Sequence, residues 1–200
     1  MRCFVWAVTV CLPGLCWAEE SMPGLPKPHY HPVESDPDWL AAAVQFHGHL
    51  GPWATAGLRL GMAARKAAGA EGYFDLEVEC HGPLARPPRS CFLDGLQVST
   101  GATLGKRNLR WIEADELVVR VENTATGRNV YVRPSKRLLE MLASIRPPAE
   151  KSGAKDSSAV ERDHVALEKI ARAIAAAADR DLLVVSPSDS PTDNPEDVPR

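Results

Sequence analysis

From residue 38 onward the apolar positions fall into two rhythms. Trp39, Leu40, Ala43 and Val44 recur three and four apart, the spacing of one helix face, with Phe46 at the far end. Asp36-Pro37 opens this helix, Asp36 as the cap and Pro37 at the first helical position. Gly48 and Gly51 interrupt it, and Pro52 starts a second helix that runs to about Ala68, ended by Gly69 and Gly72. On that helix Trp53, Gly57, Leu60, Gly61 and Ala64 share a face. The small residues among them predict close packing against a sheet, while Arg59, Arg65 and Lys66 fall on other faces.

The second rhythm is alternation. Phe74, Leu76, Val78 and Cys80 point one way and Asp75, Glu77 and Glu79 the other, which predicts a strand with one wet face. A proline-stiffened loop covers 81–90. A helix follows over 91–100, with Leu93, Leu96 and Val98 as its apolar anchors. Residues 109–112, 117–122 and 128–132 read as strands, the last two joined by a hairpin loop over 123–127. Helices over 134–145 and 160–178 flank a polar linker, and 182–185 is a short apolar coda. Two helices, a strand, a helix, a meander and closing helices make an α+β chain, not a regular βαβ alternation.

The ends behave differently. Arg2, an apolar run from Cys3 to Trp17 and the small residues Cys16 and Ala18 predict a secretory signal over 1–18, too short for a membrane span of about 20 apolar residues. Residues 19–37, rich in proline and containing His29-Tyr30-His31, read as a solvated leader that could touch a metal. Residues 38–185 form the domain, and 186–200, proline-rich and acidic, a disordered tail. A formal charge of −3 with scattered Lys and Arg gives no nucleic-acid footprint. Export would leave only Cys80 and Cys91, a disulfide candidate in the periplasm worth on the order of 3 kcal/mol.

Candidate chemistry gathers in two places. His47 and His49 sit either side of Gly48 at a helix break, where both rings could converge on one point. Neutral imidazole is the commonest metal ligand, but a lone His-x-His lacks the selectivity of the longer zinc signatures. The alternative is a pair of helix-end histidines bonded to backbone carbonyls. Cys91 and Asp94, three apart on a predicted helix, share a face and could supply a ligand and a general base, unless Cys91 is tied to Cys80. The turn from Gly101 to Lys106 is not a phosphate loop. Its glycine spacing is one residue short, Arg107 follows Lys106, and it succeeds a helix. Arg86 and Arg89 around Pro87-Pro88 could meet an anion.

Phe46-His47-Gly48-His49-Leu50-Gly51-Pro52 with Leu58-Arg59-Leu60-Gly61 resembles the opening motif of the FmdE-like family, which takes its name from formylmethanofuran dehydrogenase. The blocks from Pro88 to Gln97 and from Thr100 to Leu109 resemble its second motif, and the likeness runs from about Trp39 to Leu142. The resemblance implies an α+β domain on a mixed sheet, often dimeric, with a metal pocket, zinc for preference. It maps that pocket onto His47, His49 and Cys91, and more loosely onto Asp94 and Lys106. Many members carry cysteine where Gly51 and Ala102 stand here. Those losses argue against a thiolate-rich or iron–sulfur site. No cysteine follows Cys91, so the paired-cysteine ribbon of some members is not expected.

The expectation is therefore an exported, stand-alone domain holding zinc or another divalent metal through His47, His49 and Cys91. Asp94 would orient a ligand or move a proton, and Lys106 would pair with an anion. Its partners would be a metal or small molecule, with a possible second copy of itself, no nucleic acid and no membrane span. The alternatives are an enzyme acting on a small carbonyl or carboxylate substrate, and a metal-free interaction domain with a Cys80–Cys91 bridge.

Overall fold

The computed structural model describes residues 26–145 and 157–187. The expected signal segment, the start of the leader, the linker after residue 145 and nearly all of the acidic tail lie outside the described residues.

Helices α1 (Asp38–His47) and α2 (Pro52–Ala68) come first, then strand β1 (Leu76–His81) and helix α3 (Cys91–Thr100). Strands β2 (Leu109–Ile112), β3 (Val118–Asn123) and β4 (Asn129–Pro134) follow, then α4 (Lys136–Ala143), α5 (Ser157–Ala176), the short α6 (Asp179–Leu182) and β5 (Leu183–Pro187). The strands form one mixed sheet in the order β2-β1-β3-β4-β5. β1 and β2 are parallel and the remaining neighbours antiparallel, so the fold is α+β.

Register places Val78 beside Val121 and Leu109, Cys80 beside Val119, and Val119 beside Val132. These side chains face the helices and form the core with Phe92, Leu96, Leu60 and Ala64. Glu79 on the opposite face meets Arg110 at 3.2 Å, and Arg120 meets Glu122 at 2.6 Å. Alternation along β1, β3 and β4 thus separates a dry face from a charged one. Phe74 is not part of this pattern: it precedes the strand and is 79% exposed.

The glycines of α2, Gly57 and Gly61, face a helix, while Leu60 and Ala64 of α2 join the sheet side chains in the core as expected. A Cβ on Gly57 would overlap the Phe92 carbonyl, one on Gly61 the Ser99 hydroxyl, and one on Gly95 the Ala54 carbonyl. α2 and α3 therefore cross backbone to backbone, and the buried side of α3 is Phe92, Gly95, Leu96 and Ser99. Leu93 and Val98, expected as anchors, are only partly buried.

Arg59, expected away from the small-residue face of α2, is buried there. It is 9% exposed, and its guanidinium donates to the carbonyls of Ile174 at 2.8 Å and Ala177 at 2.7 Å and pairs with Asp179 at 2.7 Å. It satisfies carbonyl groups that the end of α5 leaves without helical partners.

Two expectations at the N-terminus change. Pro37, not Asp36, is the N-cap of α1, with no side-chain bond. The Asp36 carboxylate instead accepts from the Val33 N–H at 3.0 Å and from Arg172 at 2.8 Å. Nor is the described part of the leader free in solvent. Tyr30 packs on a second small core of Leu40, Val44, Leu50 and Ala171, which joins the leader, α1 and α5.

Candidate functional site

The site grows from the break between α1 and α2. Gly48 ends α1 in the left-handed conformation, φ 93°, which a glycine adopts without steric cost. The chain turns, His49 forms a parallel bridge with His29, and Leu50 is buried as a plug. Gly51 in extended geometry is the N-cap of α2, with Pro52 at its start. Two residues that would diverge on one continuous helix are thereby brought together. The ring centroids of His47 and His49 lie 4.5 Å apart.

His47 is held from the other side of the α2–α3 crossing. Its Nδ1–H donates to Asp94 Oδ2 at 2.6 Å, and its side chain is 8% exposed. Nε2 of the same ring is buried and has no hydrogen-bond partner. A carboxylate on one ring nitrogen fixes the tautomer and turns the other lone pair outward, the usual support of a metal-binding histidine. An orphaned buried nitrogen otherwise costs about 1–3 kcal/mol.

Gly51 shows where the lone pairs meet. A Cβ placed there would lie 3.0 Å from His49 Nε2 and 3.5 Å from His47 Nε2. Both nitrogens converge on the space over this glycine, and the donor set fits a divalent metal. Burial, with the neighbouring imidazoles of His47, His164 and His29 adding to it, lowers the pKa of His49 from its ordinary value, so the ring stays neutral and able to ligate.

Cys91 lies one turn before Asp94 on α3. It is partly buried, and it is free, as is Cys80, which is wholly buried in the core; no bridge joins them. Burial, and then the Asp94 charge, raise the Cys91 pKa, so a metal there would displace a proton. Cys91 and Asp94 line a hollow of about 350 Å³ with Gln97, Leu104 and Trp111. The Cys91 sulfur does not close up with the two imidazoles. Among the described residues the metal-competent triad with all ligand atoms within 4.8 Å of one another is His29, His31 and Glu161.

Lys106 is not among the residues lining this hollow. Its ammonium sits 5.6 Å from the centre of the Phe74 ring and 5.9 Å from that of Tyr73, a cation–π contact. The geometry gives it no anion at the site. The Asp94–His47 bond has no signature in the sequence, since the partners are distant in the chain. Only the helix crossing brings them together.

The sequence matches the family described as "FmdE, Molybdenum formylmethanofuran dehydrogenase operon" over residues 46–184, which includes His47, His49, Cys91 and Asp94. It is also similar to a "Probable S-adenosyl-L-methionine-binding protein" of Archaeoglobus fulgidus, at 30% identity over 123 residues. That alignment takes in 53% of this chain and 31% of the relative, so the chain spans about a third of that protein's length. A family match over more than half of its residues, carried by the same segments that build the histidine site, makes this chain a member of the FmdE family.

Proposed function

We propose that this FmdE domain binds a divalent metal, zinc for preference, through His47 Nε2 and His49 Nε2, with the Cys91 thiolate swinging in from the neighbouring hollow as the third ligand. The observation that carries the reading is the His47 ring: anchored at Nδ1 by Asp94, with a buried and unpartnered Nε2. Two imidazoles and a thiolate suit zinc and leave a fourth position open. Asp94 holds His47 in its ligating tautomer and is a positioning residue. The metal, when bound, would supply Lewis-acid polarisation of an oxygen. The protein would act as an exported stand-alone binding or accessory protein, which a second copy of the chain could join.

An enzymatic reading is favoured by one feature, the hollow beside Cys91 and Asp94. Its polar groups stand next to Trp111 and Leu104, a setting that suits a small carbonyl compound, or a carboxylate only where the metal would offset the Asp94 charge. The name of the archaeal relative raises S-adenosyl-L-methionine as a further ligand to test on this chain.

Elemental analysis of the purified protein tests the main reading. Stoichiometric zinc that is lost in His47→Ala is expected, and unchanged metal in that variant would reject the assignment. Thiol titration under oxidising conditions is the companion test: if Cys80 and Cys91 block one another, Cys91 is no ligand.

A further inference from the structure

The leader upstream of the family match carries a second cluster. His29 and His31, two apart in an extended segment, present their rings to α5. Nε2 of His29 lies 3.3 Å from Glu161 Oε2, and Nε2 of His31 lies 3.0 Å from Glu161 Oε1. The backbone under them is fixed at both ends. The His29 N–H donates to the Gly48 carbonyl at 2.7 Å, and the His31 N–H to Glu168 at 3.1 Å. The ring of His164, three residues beyond Glu161 on α5, lies against that of His29, tilted by 53° with centroids 4.3 Å apart.

We propose that His29, His31 and Glu161 form a second divalent-metal site at the surface, adjoining the His47–His49 site, whose His49 ring lies 6.1 Å from that of His164. The setting of His31 supports it. Its Nδ1 faces Glu168 Oε1 at 3.2 Å, and that carboxylate is 4% exposed and held by Arg172 at 3.1 Å. Nε2 is therefore the nitrogen that His31 offers on the Glu161 side, where a cation would take both as ligands. Two imidazoles and one carboxylate select a first-row transition dication such as Zn²⁺, Ni²⁺ or Cu²⁺ over Mg²⁺ or Ca²⁺. All three side chains are about half exposed, which leaves the site open to solvent and quick to load. His164 lies on the same helix face, beside the cluster and outside its ligand set.

The test uses protein with its leader intact and no histidine tag, stripped by chelator and titrated with Zn²⁺. Two classes of site are expected. His29→Ala/His31→Ala removes one class and His47→Ala/His49→Ala the other, each lowering bound metal from about two equivalents to about one. Glu161→Gln, on an exposed helix surface, weakens the surface class by about tenfold with no loss of fold. In the His47→Ala/His49→Ala variant the His29 and His31 imidazole NMR signals still shift with Zn²⁺. The proposal is overturned if those signals answer to protons but not to metal, or if His29→Ala/His31→Ala leaves the binding curve unchanged. Failure of the buried site would remove only the other class.

Discussion

His47 and His31 each have one ring nitrogen fixed by a carboxylate, Asp94 and Glu168 respectively. At His47 this predicts a graded response. Asp94→Asn keeps the shape of the side chain but removes the charge that holds the Nδ1–H tautomer. Zinc affinity should fall by about 10–100-fold, with an unchanged circular dichroism spectrum. Equal affinity in variant and parent would mean that Asp94 does not support the ligand. Gly51 offers the opposite test. Its backbone is extended, φ −104° and ψ 137°, so other residues fit its conformation, but a Cβ would lie 3.0 Å from His49 Nε2 and that ring must shift by a few tenths of an ångström. A cysteine there would bring a thiol beside the two Nε2 atoms. Gly51→Cys should tighten zinc by about tenfold or more, read by competition with a chromogenic chelator. The His-x-His at a helix break was legible from the sequence because Gly48 and Gly51 announce the turn. The orienting carboxylate was not, since no local spacing links it to His47.

At the scale of elements, the α2–α3 crossing matters to the site because it fixes α3, whose Asp94 meets His47 at the end of α1. Gly95 is the contact point, and a Cβ there would overlap backbone of α2. Gly95→Ala should therefore destabilise the fold by about 3 kcal/mol and also weaken metal binding as the helices part. Gly48→Ala separates packing from strain: its Cβ would meet nothing within 4 Å, so only the left-handed backbone resists, at a cost of about 1–2 kcal/mol. Urea unfolding of both variants checks the ranking, and a Gly95→Ala no worse than Gly48→Ala would refute the close crossing. Helical and alternating periodicity marked the longer elements of the domain to within a few residues, and missed the single turn of α6, which is too short to show a period. It could not say what the glycine face of α2 meets, because small residues signal close approach without naming the partner. For the same reason the face that Arg59 occupies did not reveal its partners. The carbonyls that hold it lie at the far end of α5, a long way along the chain.

For the molecule as a whole, the docking of the leader on α5 decides whether the N-terminal histidines are held in place. Prolines argued for a solvated leader, and they do keep it from being helical, but they do not prevent packing. Tyr30 enters the small core beside Leu40 and Val44, and Arg172 bridges the Asp36 and Glu168 carboxylates. Chiefly through the hydrogen bond from Arg172, with burial opposing, the Asp36 carboxyl is held at about 2 against an ordinary 3.8. A depressed carboxyl pKa means that the folded state favours the charged form. Its stabilisation is complete above the ordinary value and is lost as pH falls through the lowered one. The parent protein should therefore lose stability between about pH 4 and pH 2 more steeply than Asp36→Asn, which has no such group to protonate. At neutral pH the same variant should be less stable by on the order of 2 kcal/mol, because Arg172 loses a charged partner. It should also be cut faster by protease between residues 26 and 37. Thermal midpoints measured across that acid range decide the matter. Parallel curves for parent and variant would show that the leader is held by Tyr30 packing alone, and a gap that closes toward pH 2 would assign the hold to Asp36 and Arg172.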